Sequence, residues 1–326
     1  MSPRGIVVIR NDDITQDWVD ALRMEIAATS QKDNGTAISV YNFDQDSEHP
    51  VEDITMAVVW KHPPGSLAKY PNLRGVQALG AGVDFLFADQ DIPSQVRFMR
   101  VVDPYLGQDM AEFALALTMG ALKNLSFYHR NKQRHEWTSK PYQRIENTTV
   151  GIMGLGTLGL EVSKILERNG FKLCGWTRRS TPTVNFATFQ GKEHMEQFLS
   201  KSDILICLVP WTNETTGLLD SQAFSALKDG AHVINLARGP IIVDDDLIDA
   251  LDSGKLSGAS LDVFHTEPLP KDHPFWQHEK IAITPHVASV TDIADISSVV
   301  PQVLRNFSNL RENKPLESEV FRDRGY

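Results

Sequence analysis

Residues Thr149–Arg179 read TVGIMGLGTLGLEVSKILERNGFKLCGWTRR, and this stretch decides the fold. Val150 to Met153 form an apolar run of strand length, and Gly154, Gly156 and Gly159 follow in G-x-G-x-x-G spacing. Leu158, Val162, Ile165 and Leu166 then recur on one helical face, with Gly170 placed to end that helix. A second apolar run, Lys172 to Trp176, completes a strand-turn-helix-strand unit. In such a unit the first glycine permits a tight turn and the second lets a pyrophosphate approach bare backbone. The third lets helix and strand pack closely, and the phosphates sit at the positive end of the helix dipole. The bare motif is a weak signal, but its strand-to-helix setting makes a dinucleotide site the stronger reading over a purely structural turn.

The end of the second strand bears on the cofactor. NAD-type sites place an Asp or Glu there for the ribose 2′-hydroxyl. This chain has Trp176, Thr177, Arg178 and Arg179, with no acid in that run. A carboxylate would repel a 2′-phosphate, whereas two guanidinium groups pair with it. The run therefore predicts a preference for NADP(H), with NAD(H) still possible. The plainer alternative is a pair of solvated surface arginines.

The rest of the chain fits a two-domain protein of ordinary composition. It has 326 residues, 41% hydrophobic and 23% charged, with a net charge of −10. That charge points to neither a nucleic acid nor an acidic membrane as partner. Cys174 and Cys207 both lie in apolar runs, which favours buried, reduced side chains over a disulfide. MSPRGIVVIR moves straight into a strand, and no apolar run reaches the length of a membrane span, so the expected location is cytoplasmic.

The first hundred residues read as a separate α/β unit. Strands are expected at Gly5–Ile9, Ala37–Tyr41, Met56–Trp60, Val76–Leu79 and Phe98–Val102, and Trp18, Leu22 and Ile26 mark a helix face. The loop Leu79–Asp84, LGAGVD, exposes consecutive N–H groups able to bind an anion, or serves only as a tight connection. Asp103–Pro104 marks a boundary. One long helix is expected over 108–132, with Met110, Phe113, Leu117, Ala121 and Leu125 on its apolar stripe. A polar segment carrying Trp137 follows, either an interface or a contact on its own subunit. Beyond the dinucleotide unit, strands are expected at Ile204–Val209, Ala231–Ala237, Leu256–Phe264 and Ile281–Thr284, with helices at Ser221–Leu227 and Asp244–Leu251. This alternation predicts doubly wound parallel sheets, whose ligands gather at the carboxyl ends of the strands. A last helix from Ala288 to about Leu310, kinked or divided at Pro301, is expected to rejoin the first domain. The domains are thus 1–103 plus 290–326, and 104–289.

Strand ends supply a search list: Arg238, Asp262, His286, and Glu267 in a loop just beyond. Each singly has a dull explanation, but together they are the parts that ketone reduction needs. Hydride arriving at a carbonyl carbon leaves charge on oxygen, and a histidine can deliver the proton. An adjacent carboxylate favours the protonated ring and fixes its tautomer, while an arginine holds a carboxylate and the developing alkoxide.

GLGTLG, NLARG (Asn235–Gly239), LDVF (Leu261–Phe264), EP (Glu267–Pro268) and TPHVAS (Thr284–Ser289) closely resemble the D-2-hydroxyacid dehydrogenase family over nearly the whole chain. VVWKHPP (Val58–Pro64), ALGAGVD, LDSGKLSGASLDVF, EPLP and RGY (Arg324–Tyr326) are most similar to its glyoxylate/hydroxypyruvate reductase A group. The resemblance implies two Rossmann-like or flavodoxin-like domains, substrate-binding and dinucleotide-binding, with the active site in the cleft between them. It implies Arg238 as the substrate clamp, Glu267 as partner and His286 as proton donor. Ala81 and Gly82 would bind the substrate carboxylate, and Trp60 would line its pocket. Trp137 would enter a neighbouring subunit's site in a homodimer. Cofactor contacts would come from Gly154, Gly156, Thr157, Leu158, Gly159, Thr177, Arg178, Arg179, Pro210, Thr215, Ala237, Asp262, facing the nicotinamide amide, and His286. The implied reaction is reduction of glyoxylate or hydroxypyruvate, with a bulkier acid such as phenylpyruvate, or a nucleotide-sensing corepressor, as alternatives. A regulatory C-terminal domain is not expected, because 40 residues follow His286.

Overall fold

The computed structural model describes residues 5–11, 13–29, 32–33, 36–45, 49–178, 183–289 and 296–322. The chain splits into two compact units, Met1–Asp103 with Thr291–Tyr326, and Pro104–Val290. In the first unit β1 (Gly5–Arg10) leads to α1 (Thr15–Ala28) and a short antiparallel pair, β2 (Lys32–Asp33) and β3 (Thr36–Ala37). There follow β4 (Ser39–Asn42), β5 (Ile54–Trp60), β6 (Gly75–Ala78), α2 (Asp84–Ala88) and β7 (Arg97–Met99). The second unit begins with α3 (Pro104–Leu122), α4 (Leu125–Arg134), β8 (Thr149–Met153), α5 (Thr157–Arg168) and β9 (Lys172–Thr177). It continues through β10 (Ala187–Gln190), α6 (Met195–Leu199), β11 (Ile204–Cys207), α7 (Ser221–Ala226), β12 (Ala231–Asn235), α8 (Asp244–Asp252), β13 (Leu256–Leu261) and β14 (Ile281–Ile283). The chain then returns to the first unit as α9 (Ile296–Glu312) and β15 (Glu319–Val320).

Both units have the expected α/β class, built on parallel sheets. The first unit's sheet runs β15-β7-β6-β5-β1-β4, with the order reversing beside β1, as in a flavodoxin-like fold. Only β15 is antiparallel to its neighbour in that sheet. The second runs β10-β9-β8-β11-β12-β13-β14, parallel throughout, and reverses beside β8, as in a Rossmann fold. Each sheet is apolar on both faces because side chains alternate. Ile6 and Val8 of β1 point into one core with Trp18 and Phe307, whereas Val7 and Ile9 point into another with Val59 and Val76. Val150 and Ile152 of β8 face α3 and α5, while Met153 faces the opposite core with Cys207. Among the described residues no helix is long and apolar enough to cross a membrane.

The return of α9 to the first unit is fixed by polar bonds as well as by its apolar face. Asn306, fully buried, donates to Gln77 Oε1 at 2.9 Å and accepts from the Glu317 amide at 2.7 Å. Arg97 grips Glu319 with two bonds of 2.7 Å. Pro301 does not divide this helix, which is continuous from Ile296 to Glu312. It lies inside the helix, where it removes the bond its N–H would have made to Ser297 O, and the helix runs on through it.

Several local expectations are corrected. The single helix over 108–132 is two helices, because Asn124 takes a left-handed conformation (φ 56°) that no helix propagates. The buried stripe of α3 is Gly107, Met110, Ala111, Ala114, Thr118 and Leu122, so Phe113, Leu117 and Ala121 are only half-buried and Leu125 is exposed. The helix starts at Pro104, not after Gly107, with proline in its first turn. β7 ends at Met99 and leaves Val102 exposed. β10 and α6 had no clear sequence signal, since β10 is four half-exposed residues at the sheet edge. Cys174 and Cys207 are both free and buried, and burial pushes the Cys207 thiol up to about 12. Arg179 and the terminal Arg324–Tyr326 lie outside the described residues.

Candidate active site

Three glycines shape the turn after β8, each for a different steric reason. Gly154 has φ +107°, and a Cβ there would lie 2.8 Å from the Leu208 carbonyl. At Gly159 a Cβ would lie 1.9 Å from Gly154 O, so only glycine lets the first turn of α5 close on the strand end. Gly156 differs: a Cβ there would meet nothing within 4 Å. It caps α5, and neither it nor Thr157 is buried. A glycine cap offers no side chain to the first-turn amides, and no acidic residue occupies that turn. The open amides and the helix dipole make this a cradle for an anionic pyrophosphate, so the turn fits a dinucleotide. Leu158 turns its side chain toward the core instead. The Gly154 amide donates to Trp176 O at 2.8 Å, tying the turn to the end of β9, where Thr177 and Arg178 follow.

At the ends of β12, β13 and β14, three neighbours in the sheet, stand the groups suited to proton transfer. His286 Nδ1 lies 2.7 Å from Glu267 Oε2, and Glu267 Oε1 accepts the Phe264 amide at 3.1 Å. The carboxylate is thereby oriented by backbone on one oxygen and by imidazole on the other. His286 has φ 55°, a left-handed conformation in which a non-glycine residue is strained. What holds it is Asp262, 1% exposed. Asp262 Oδ1 accepts from Thr284 Oγ1 at 2.6 Å and from the Val287 amide at 2.9 Å, and Oδ2 accepts from the Ala288 amide at 3.0 Å. The Asp262 carboxylate, assigned by resemblance to the nicotinamide amide, is here turned inward and fastens the turn that carries His286. Thr284, which the sequence did not single out, completes that clamp.

Arg238 is extended (φ −148°) and half-buried, one strand along from this pair. Its backbone is set by Asn235, 1% exposed, whose Nδ2 donates to Arg238 O at 3.0 Å and whose Oδ1 accepts the Ala237 amide at 3.1 Å. Gly239 matters for a steric reason: a Cβ there would lie 1.9 Å from the Phe264 carbonyl carbon. That close approach brings the Arg238 loop against the loop that leads to Glu267.

The loop after β11 carries Pro210 and Thr215. Pro210 is exposed, whereas Thr215 is 3% exposed and closes the loop, donating to Pro210 O at 2.7 Å and accepting the Thr212 amide at 2.8 Å. Arg178 is the one arginine of the pair that can be described. Its Nη1 lies 2.5 Å from Glu214 Oε2. No acid follows β9 in sequence, yet the fold delivers one there from the β11 loop.

In the first unit, the loop after β6 keeps Ala81 and Gly82 half-buried. Trp60, expected to line a pocket, packs on this loop: a Cβ at Gly80 would lie 2.4 Å from Trp60 Cζ3. Phe85 meets the indole edge-on with ring centroids 6.0 Å apart. Trp137 is completely exposed, on an arm pinned to α4 where the Lys140 amide donates to Tyr128 Oη at 3.0 Å.

Residues 115–288 match the family model described as D-isomer specific 2-hydroxyacid dehydrogenase, NAD binding domain. A D-isomer specific 2-hydroxyacid dehydrogenase from Xanthobacter autotrophicus Py2, in complex with NADPH and MES, is 34% identical. It superposes with a TM-score of 0.90 over 99% of this chain and 100% of that one. The NADPH-dependent glyoxylate/hydroxypyruvate reductase of Sinorhizobium meliloti, in complex with NADP and sulfate, is 30% identical with a TM-score of 0.86 over 99% of each chain. A probable 2-hydroxyacid dehydrogenase from Rhizobium etli CFN 42, in complex with NADP, HEPES and L(+)-tartaric acid, is 29% identical with a TM-score of 0.84 over 100% of both. The chain belongs to the D-isomer specific 2-hydroxyacid dehydrogenase family. It is an NAD(P)-dependent oxidoreductase of that class.

Proposed function

We propose that this enzyme reduces a small 2-keto acid, glyoxylate or hydroxypyruvate, to the 2-hydroxy acid with NADPH. The observation that carries the proposal is the His286–Glu267 bond of 2.7 Å, held at the strand ends of a dinucleotide-binding fold. Bound NADPH supplies the hydride. Glu267 accepts from Nδ1 and leaves Nε2 to face the substrate oxygen, where the protonated ring gives up its proton as charge develops. Arg238 holds the carboxylate and the carbonyl oxygen of the substrate. The amides of Ala81 and Gly82 bind the substrate carboxylate, with Trp60 as the support of their loop. Gly154, Gly156, Thr157 and Gly159 would hold the cofactor's pyrophosphate, and Thr177, Arg178, Pro210, Thr215 and Ala237 would line the rest of it.

The preference for NADPH is supported by Arg178 at the end of β9 and by the cofactors present in similar chains. The exposed arm supports a homodimer in which Trp137 reaches the neighbouring subunit. The cytoplasm is the proposed compartment, in keeping with two free, buried cysteines. The test is a steady-state panel of glyoxylate, hydroxypyruvate, pyruvate and phenylpyruvate with each cofactor. The highest kcat/KM is expected for one of the first two with NADPH. A decisive preference for phenylpyruvate, or for NADH, contradicts the proposal.

A further inference from the structure

Glu214 faces Arg178, the guanidinium proposed to take the 2′-phosphate of NADPH, so its role rests on the proposed preference for that cofactor. Arg178 keeps only 20% of its side chain exposed, with Nη1 2.5 Å from Glu214 Oε2 and 3.5 Å from Thr212 Oγ1. The Glu214 side chain is 61% exposed, yet the turn beneath it is braced. The Thr212 amide donates to Thr215 Oγ1 at 2.8 Å, the Thr216 amide donates to Thr212 O at 3.0 Å, and Trp211 Nε1 donates to Thr216 Oγ1 at 2.9 Å. β9 and β11 are the two neighbours of β8, so this turn and Arg178 approach the glycine turn from opposite sides.

We propose that Glu214 sets cofactor selectivity by competing with the 2′-phosphate for Arg178. When NADPH binds, the phosphate takes the guanidinium and the carboxylate, of like charge, opposes it. When NADH binds, the carboxylate stays on Arg178 and accepts the ribose 2′-hydroxyl. Glu214 thus restrains NADPH affinity and preserves a measure of NADH binding. It plays the part of the strand-end acid of NAD-type sites, but from a different loop.

The test is a fluorescence titration of wild type, Glu214→Gln and Glu214→Ala with NADPH, NADH and 2′,5′-ADP at low and high salt. Both variants should bind NADPH and 2′,5′-ADP about three- to tenfold more tightly, as expected for one charge removed near a dianion in a water-like medium. NADH should bind no more tightly, and the gain should shrink as salt rises. Adding Arg178→Gln to Glu214→Gln should abolish the gain. Equal changes for NADPH and NADH, or no change for 2′,5′-ADP, would overturn the proposal. Failure of the underlying NADPH preference looks different: wild-type protein would then bind NADH as tightly as NADPH.

Discussion

The two ends of the second unit's sheet are built to different standards. At the proton-transfer end, a carboxylate that is 1% exposed accepts three hydrogen bonds of 2.6–3.0 Å and fixes the backbone around His286. At the end of β9, Arg178 pairs with a carboxylate that is 61% exposed. Buried, fully bonded groups are costly to disturb, whereas exposed ion pairs contribute about 0–1 kcal/mol and are screened by salt. On the proposed roles, the chemistry rests on buried, fully bonded groups, and the choice of cofactor on surface charges that exchange at little cost to the fold.

Substitutions at the two ends should therefore differ in kind. Glu267→Gln should cost about a hundredfold in kcat, because the histidine loses the carboxylate that accepts from Nδ1 and fixes its ring orientation and tautomer. Rate measurements at saturating cofactor check this, and a loss confined to KM would contradict it. Asp262→Asn should lower kcat by tens-fold through misplacement of His286, with about 1–3 kcal/mol of stability lost in urea melts. A variant with unchanged stability would mean that the clamp does not hold the strained turn. Arg178→Gln should raise KM for NADPH about tenfold, leave KM for NADH nearly unaltered, and cost no measurable stability. If it destabilised the protein as much as Asp262→Asn, the contrast between the two ends would collapse.

The smallest effect concerns pH. His232, at the start of β12, is pushed down to about 4 by desolvation, and shares a 3.0 Å bond with Ser260 Oγ. Its unfolded form takes up a proton near pH 6.5 while the folded form stays neutral, so acidification between these values favours unfolding. Thermal melts should show a midpoint falling across that window, and His232→Gln should flatten the fall.

Much of the fold was legible in the sequence because it depends on local steric demands. The glycine turn shows in the spacing of Gly154, Gly156 and Gly159, and the Gly170 stop appears as a left-handed residue (φ +86°). Strand positions followed from apolar runs, since parallel strands are buried on both faces. The features that could not be read depend on long-range placement. Nothing local links Glu214 to Arg178, 36 residues earlier, or Asp262 to Ala288, 26 residues later. The break at Asn124 was hidden because the apolar spacing continues through it. Trp60 was placed at a substrate pocket only through the family resemblance, and its contact with Gly80 depends on the pairing of β5 with β6.

His286 is proposed to deliver the proton in a nicotinamide-dependent reduction. The most direct measurement compares wild type and His286→Ala for turnover of hydroxypyruvate with NADPH, alongside cofactor titrations of both. A loss of kcat of about 10²–10⁴-fold, with the NADPH dissociation constant kept, is expected. Undiminished turnover in the variant would contradict it.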